Sequence, residues 1–337
     1  MEKIMGEIMQ EHVDRLMMLG TLSADEFTEL LRYRNAETTE YLFQKAEEVR
    51  KQQFDKEVYL WGRLPFSNYC KNDCNYCGLR RSNRFVKRYR MNMKEILQYC
   101  HEGYRQGIRN FLLESGTDFY FSEANFAEIV DAVHKHFPDC TIILNVGDHT
   151  KAAYLHWMHL GAGAAMLSHD ASNELQFKRL HSANMSLLRR KQGMWELQEM
   201  GYHTGTGFLV GTPYQTIENV SEDLLFMKQF MPQMIQIAPF LAAKHTPFER
   251  ERGGNADMVL YLMAIARLMF RGSILIGRKK ALQAGANAVV VDIVDEALRG
   301  AYAVYDEHTI HRQQETIKSF EQQIREKGYE VVRKAIM

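Results

Sequence analysis

Three cysteines, Cys70, Cys74 and Cys77, fall within eight residues of a 337-residue chain. Thiolates this close together can reach one metal centre, and three soft sulfur ligands suit iron–sulfur or zinc chemistry. The count separates the two, because a structural zinc site normally closes with four ligands and no fourth stands nearby. The other cysteines, Cys100 and Cys140, sit singly in what read as a helix and the start of a strand, where a free cysteine is usually a small buried hydrophobe. A cubane cluster normally takes four cysteines, so three leave one iron free to bind a small molecule.

The spacing Cys-x3-Cys-x2-Cys, with Tyr76 just before the last cysteine, resembles the signature of the radical S-adenosylmethionine (SAM) superfamily. The resemblance implies a 4Fe-4S cluster on Cys70, Cys74 and Cys77, with Tyr76 packed beside it and the amino and carboxylate groups of SAM on the open iron. An electron from the reduced cluster then cleaves the sulfonium, and the resulting 5′-deoxyadenosyl radical acts on the substrate.

The elements that must carry this loop follow from the pattern of apolar runs. Val58-Tyr-Leu-Trp-Gly-Arg-Leu-Pro-Phe66 reads as a buried strand, so the cysteines leave its carboxyl end. Apolar strands at about 57–66, 109–114, 140–146, 163–168, 203–210, 233–240, 273–276 and 287–292 alternate with amphipathic stretches such as Met93–Gln106, Glu123–Phe137, Leu187–Met200 and Ile217–Met231. Strands alternating with helices mean a parallel sheet covered by helices, and eight such repeats close an (αβ)8 barrel of the TIM type. The seventh repeat is short, with Gly277-Arg-Lys-Lys-Ala alone before the next apolar run. The expected organisation is an N-terminal helical extension over 1–56, the α/β barrel over 57–300 and a C-terminal helical segment over 301–337. Ser23-Ala-Asp-Glu26 is a capping box, and helices carrying Phe27, Leu30, Leu31, Leu42, Phe43, Ala46 and Val49 are expected to pack across one end of the barrel.

Composition excludes several classes. Lys+Arg and Asp+Glu are both 42, so no global field attracts nucleic acid or an anionic membrane. No apolar run approaches the roughly 18 residues of a spanning helix, and the N-terminus lacks the apolar core of a signal peptide. Five cysteines without a disulfide framework point to a reducing, cytoplasmic setting. The basic run Arg80, Arg81, Arg84, Lys87, Arg88 and Arg90 reads as solvated surface that can also face an anionic ligand or redox partner, with Phe85 and Tyr89 expected to anchor it to the core.

In such a barrel, chemistry comes from the carboxyl ends of the strands. After the second strand, Gly116 allows close backbone approach, and Ser115 and Thr117 can accept from an ammonium group. Asn145-Val-Gly-Asp148 follows the third strand and Ser168-His-Asp170 the fourth. Asp170 can grip ribose hydroxyls, Arg190 can present a fork to the SAM carboxylate, and His169 reads as a satisfied turn residue. Gly205, Gly207 and Gly211 offer places for an adenine or sulfonium to pass close to backbone.

Phe66-Ser-Asn-x-Cys-x3-Cys-x-Tyr-Cys-Gly-Leu-Arg-Arg81, Lys87-Arg-Tyr-Arg-Met91, Ser115-Gly-x-Asp118, Gly201-Tyr-x-Thr-Gly-x-Gly207, Val210-Gly-x-Pro213 and Gly285-Ala-Asn287 are together similar to the radical SAM maturase family of FeFe hydrogenase (HydE), over nearly the whole chain. Biotin synthase and methylornithine synthase share the triad and the barrel. The resemblance implies Asp170 and Arg190 as SAM contacts. It also implies radical processing of an organometallic precursor of the hydrogenase H-cluster, a reductant such as ferredoxin or flavodoxin, and other hydrogenase maturases as partners. The chain departs from the family pattern at Trp61, where an arginine is expected although Arg63 follows, and at Thr117, where an acid is expected. It is also shorter near 272–280, and its C-terminal region has no cysteine. Two alternatives stay open: a radical SAM enzyme acting on another small molecule such as an amino acid, and a non-catalytic iron–sulfur carrier.

Overall fold

The structure, a computed structural model, describes residues 2–302, 304–305 and 317–337. Three helices lead: α1 (Glu2–Leu19), α2 (Ala24–Arg32) and α3 (Ala36–Phe54). The expected capping box starts α2, with Ser23 Oγ accepting from the Glu26 amide at 3.3 Å and Glu26 accepting from the Ser23 amide at 2.9 Å. Eight parallel strands then close a barrel: β1 (Glu57–Ser67), β2 (Asn110–Ser115), β3 (Thr141–Asn145), β4 (Ala164–Met166), β5 (His203–Val210), β6 (Met234–Pro239), β7 (Ile274–Gly277) and β8 (Ala288–Asp292). β1 pairs with both β2 and β8. All eight expected strands form.

Helices α4 (Met93–Arg105), α5 (Glu123–His136), α6 (Lys151–His159), α7 (Glu174–Leu180), α8 (Leu187–Glu199), α9 (Ile217–Phe230) and α10 (Ala256–Met269) make the crossovers. The N-terminal helices lie against the flank formed by α9 and α10, with Tyr261 of α10 donating to the Leu30 carbonyl at 3.2 Å.

The seventh crossover has a single 3-10 turn, Lys279–Ala284, in place of a helix. A buried arginine does the work of the missing packing. Arg267 of α10 donates to the carbonyls of Gly285 (2.7 Å), Arg271 (2.6 Å) and Ser273 (3.0 Å) and to Asn287 Oδ1 (2.8 Å), which also accepts from the Leu275 amide. Gly285 is required there: its φ is +89°, and a Cβ would lie 2.7 Å from that of Arg267. Burial, with Arg50 nearby, pulls Arg267 down to about 9.

Strand alternation sorts the side chains. Val58, Leu60, Leu64 and Phe66 of β1 pack outward under the helices. Trp61 points inward, fully buried among Leu112, Ile143, Met166, Met234 and Ile276. Arg63, two residues on, faces the same interior one layer higher. The chain ends with α11 (Glu296–Ala301), α12 (Ile317–Glu326) and a ninth strand, β9 (Glu330–Val332), which sequence reading did not foresee. β9 pairs with the start of β1, and the tail then crosses to β2, where buried Asn110 donates to the Lys334 carbonyl at 3.0 Å and accepts from the Ile336 amide at 2.9 Å. Ile336 packs on the interior layer around Trp61, closing the amino end of the strands.

Candidate active site

The cysteine loop leaves β1 at the carboxyl end of the barrel and is fastened from three sides. Lys71 N donates to the Thr117 carbonyl at 2.9 Å, Asn75 N to the Leu180 carbonyl at 2.7 Å, and Gly78 N to the Val304 carbonyl at 2.8 Å. Gly116 is where the backbone after β2 meets this loop. A Cβ there would run into the Tyr69 carbonyl and lie 2.7 Å from Cys70 Cβ. The expected close approach at Gly116 is thus made by the cysteine loop itself. Ser115 is half-buried beside it, whereas Thr117 is buried and turned toward Asn72 and Gly147.

The three thiols are free and feel one another. Burial pushes Cys74 up to about 12, with Cys70 adding to the rise, and lifts Cys77 further, helped by Cys74 and Cys70. Sulfurs so placed persist as thiolates when a metal compensates them, so the donor set fits a cluster. Among the described residues no three His, Cys, Asp or Glu side chains converge as on a single ion; a cubane gives each cysteine its own iron.

The turn after β4 carries Asp170, at φ +59°. Its conformation is held on every side. Asp170 N donates to the Gly207 carbonyl at 3.0 Å, Ala171 N to the His169 carbonyl at 2.7 Å, and Ser172 N to Asp223 of α9 at 2.5 Å. His169, fully buried, pairs with Thr206 Oγ1 at 3.0 Å through Nδ1, but its Nε2, 3.5 Å from Asp223, has no hydrogen-bond partner, so the turn residue is satisfied on one side only. Asp170 itself is a hub. Its Oδ2 accepts from the Tyr76 hydroxyl at 3.2 Å and from His181 Nε2 at 3.0 Å, with Arg190 Nη1 3.8 Å away. Burial alone would raise the Asp170 carboxyl, but the His181 hydrogen bond and the charges of His181 and Arg190 hold it below the usual carboxylate range. Tyr76 is pushed well upward by burial and by Asp170.

Arg190 enters from α8 and is 8% exposed. It forks onto Asp148, Nε to Oδ1 at 3.1 Å and Nη2 to Oδ2 at 3.0 Å, and donates to the Ser168 carbonyl at 2.5 Å. Burial works against its charge, but Asp148 and Asp170 outweigh that and keep it firmly protonated. Sequence reading found Arg190 and Asp170 without their partners. His181 was missed altogether, because it stands at the end of the short α7 in no recognisable motif.

Two expectations are corrected. Gly205 and Gly207 make room for protein: a Cβ on Gly205 would strike Met166 Sδ, and one on Gly207 the Gln236 carbonyl. Phe85 does not anchor the basic run, being 76% exposed and stacked on His245 at 3.9 Å. Tyr89 does, donating to the Pro65 carbonyl at 2.7 Å. The run is also less free than expected. Arg88 donates to the carbonyls of Leu79, Arg80 and Asn83, and Arg90 forks onto buried Asp118 at 2.7 and 2.9 Å while lying 3.6 Å over the Tyr69 ring.

Below the mouth, the barrel lumen presents mixed charge. Arg63 Nε donates to Asp292 at 2.6 Å, Nη1 lies 3.8 Å from Glu114, and Asn145 donates to Glu114 at 2.8 Å. Trp61 forms the apolar layer beneath. Among the described residues no helix is long and apolar enough to cross a membrane.

Comparisons with known proteins agree with this geometry. The profile of the Radical SAM superfamily matches residues 64–227. The chain is 31% identical to the FeFe hydrogenase maturase subunit HydE of Thermotoga maritima, covering 86% of each chain. It is 27% identical to 3-methylornithine synthase of Methanosarcina acetivorans, covering 98% of this chain and 96% of that one. Among solved structures, methylornithine synthase (PylB) superposes with a TM-score of 0.85 at 25% identity, over 95% of this chain and 97% of the other. HydG, a maturase of the FeFe hydrogenase, superposes at 0.83 with 16% identity, over 97% and 76%, a likeness of fold. With three cysteines on a loop at the barrel mouth and these relatives along its length, the chain belongs to the radical SAM superfamily of enzymes.

Proposed function

We propose that this enzyme cleaves SAM reductively at a 4Fe-4S cluster on Cys70, Cys74 and Cys77, and that it serves, as HydE does, in maturation of an FeFe hydrogenase. The observation that carries the reading is the buried Asp170 and Arg190 pair set beside the three-cysteine loop. When bound, the reduced cluster supplies the electron that splits the sulfonium into methionine and the 5′-deoxyadenosyl radical.

The chain's own residues bind and orient. Arg190 has five N–H donors and spends three on Asp148 and Ser168, leaving two for the SAM carboxylate. Asp170 accepts from the ribose hydroxyls, Ser115 and the backbone at Gly116 meet the amino group, and Tyr76 covers the cofactor from the loop. The apolar layer around Trp61 closes the lumen beneath Arg63, Glu114 and Asp292. The HydE role rests on the 31% identity along 86% of the chain. In this reading the enzyme works in the cytoplasm, draws its electron from a carrier such as ferredoxin or flavodoxin, and meets the other hydrogenase maturases.

The test is anaerobic reconstitution followed by SAM and dithionite. 5′-Deoxyadenosine should form, and the protein should restore hydrogenase activity to a cell-free maturation mixture lacking HydE. A site that holds zinc, or an electron paramagnetic resonance spectrum indifferent to SAM, would overturn the reading.

A second reading is favoured by the lumen. Arg63 beside Asp292 and Glu114 presents both signs of charge above Trp61, which suits a zwitterionic amino acid. Transfer of deuterium from a labelled amino acid into 5′-deoxyadenosine would select it.

A further inference from the structure

Beside the cysteine loop lies a depression of about 700 Å³ that shares only His181 with the surroundings of Asp170. Its walls are Lys71, Asp73 and Asn75 of the loop, Arg81 just beyond it, and Lys178, His181 and Ser182 from the end of α7 and the turn after it. Three cations, Lys71, Arg81 and Lys178, line it with one carboxylate, Asp73. Asp73 is engaged by Arg80 at 3.2 Å, by Arg81 at 3.5 Å and by the Ser82 amide at 2.9 Å, and Glu174 pairs with Lys178 at 3.0 Å. Arg81 and Lys178 keep most of their side chains in solvent, at 72% and 66%. In a chain whose formal charge is zero, this is a local positive field.

Its position matters as much as its sign. Lys71, Asp73 and Asn75 stand between the ligand cysteines, so the floor of the depression is the backbone that carries the cluster. That backbone is pinned to the opposite wall through Asn75 N to the Leu180 carbonyl and through Asp73 N to Ser182 Oγ. The rim adds aromatic surface: Lys71 Nζ lies 4.5 Å over Phe119, which is 73% exposed. An exposed aromatic of this kind is enriched at protein interfaces.

We propose that this depression is the docking site for an acidic one-electron carrier protein, whose prosthetic group is brought against the cysteine loop by Lys71, Arg81 and Lys178. The inference rests on the reading of Cys70, Cys74 and Cys77 as cluster ligands. One electron leaves the reduced carrier and is accepted at the cluster; no bond forms or breaks in that step. Complementary charge of this kind steers encounter and fixes register, and salt weakens it.

The experiment uses an acidic flavodoxin as the probe and the double variant Arg81→Glu, Lys178→Glu. Calorimetry on the full chain at about 0.05 M and about 0.3 M salt should show salt-sensitive binding to the parent and a loss of at least about tenfold in the variant. A control of equal charge change on the helical exterior, Arg105→Glu, Lys135→Glu, should bind as the parent does. Dithionite-driven SAM cleavage should be equal in all three, while flavodoxin-driven cleavage falls in the double variant alone. Equal flavodoxin binding by parent and double variant, or an equal loss in the control, overturns the docking site. Failure of the parent to cleave SAM with dithionite would overturn the catalytic reading instead, and the binding comparison would still decide the surface.

Discussion

His181 Nε2 and Tyr76 Oη meet the same carboxylate oxygen of Asp170, at 3.0 and 3.2 Å. The other ring nitrogen of His181 lies 3.0 Å from the Phe177 carbonyl. Both nitrogens therefore face oxygen atoms, which fixes the ring at both ends. His181 is 4% exposed and stacked on Phe177 at 3.9 Å, so α7 delivers a fixed donor to the turn after β4. His181→Ala should cost about 1.5–3 kcal/mol of stability, the worth of a hydrogen bond to a charged group. It should also weaken SAM binding with iron content unchanged. Urea denaturation and calorimetry read the two effects separately.

Gly116 is the point where β2 and the cysteine loop touch, and no side chain fits between them. Gly116→Ala must push Cys70 outward. The expected outcome is a protein that folds, with circular dichroism near the parent, but takes up less iron and sulfide on reconstitution. Full iron content would sink the assignment.

Arg190 forks onto Asp148 and, in the proposed reading, keeps two N–H donors for SAM. Arg190→Ala removes the fork from Asp148, whose side chain is 37% exposed, and the charge beside buried Asp170, and should cost about 1–3 kcal/mol of stability. SAM binding should also weaken, by roughly 2–5 kcal/mol. Arg190→Lys keeps the charge but loses the fork. It should therefore lose less stability while still binding SAM more weakly, measured by thermal unfolding and calorimetry.

Asp118 supplies the pH dependence. Burial would raise its carboxyl, but hydrogen bonds from Arg90, Ser67 and the Tyr120 amide outweigh that and lower it. A carboxyl depressed in the folded state contributes its full stability above its unfolded value of about 3.9, and loses it as pH falls through the lowered folded value. Melting temperature should fall on acidification through that window, and Asp118→Asn should flatten this part of the profile while lowering stability at neutral pH.

Trp61 is the floor of the lumen. Trp61→Ala should destabilise by about 3–5 kcal/mol, the range for a large aromatic removed from a packed layer. Chemical denaturation tests it, and a loss below about 1 kcal/mol would mean that the layer collapses to fill the space.

Much of this molecule is written locally. Cysteine spacing, the eight apolar runs and the capping box are short-range patterns, and each element forms where its own residues dictate: Ser23 and Glu26 satisfy one helix terminus, and period-two alternation places Trp61 and Arg63 on the same face of β1. The chemistry of the loop follows from three sulfurs in eight residues and needs no fold to be read. What the tertiary structure alone decided are contacts between residues far apart in the chain. Arg267 and Asn287 replace a helix that the short seventh repeat lacks. The C-terminal tail seals the barrel through Asn110, and His181 and Asp148 become the partners of Asp170 and Arg190. Such pairs leave no period or motif, because closure of the barrel sets which side chains meet, and burial then turns those meetings into shifted charges.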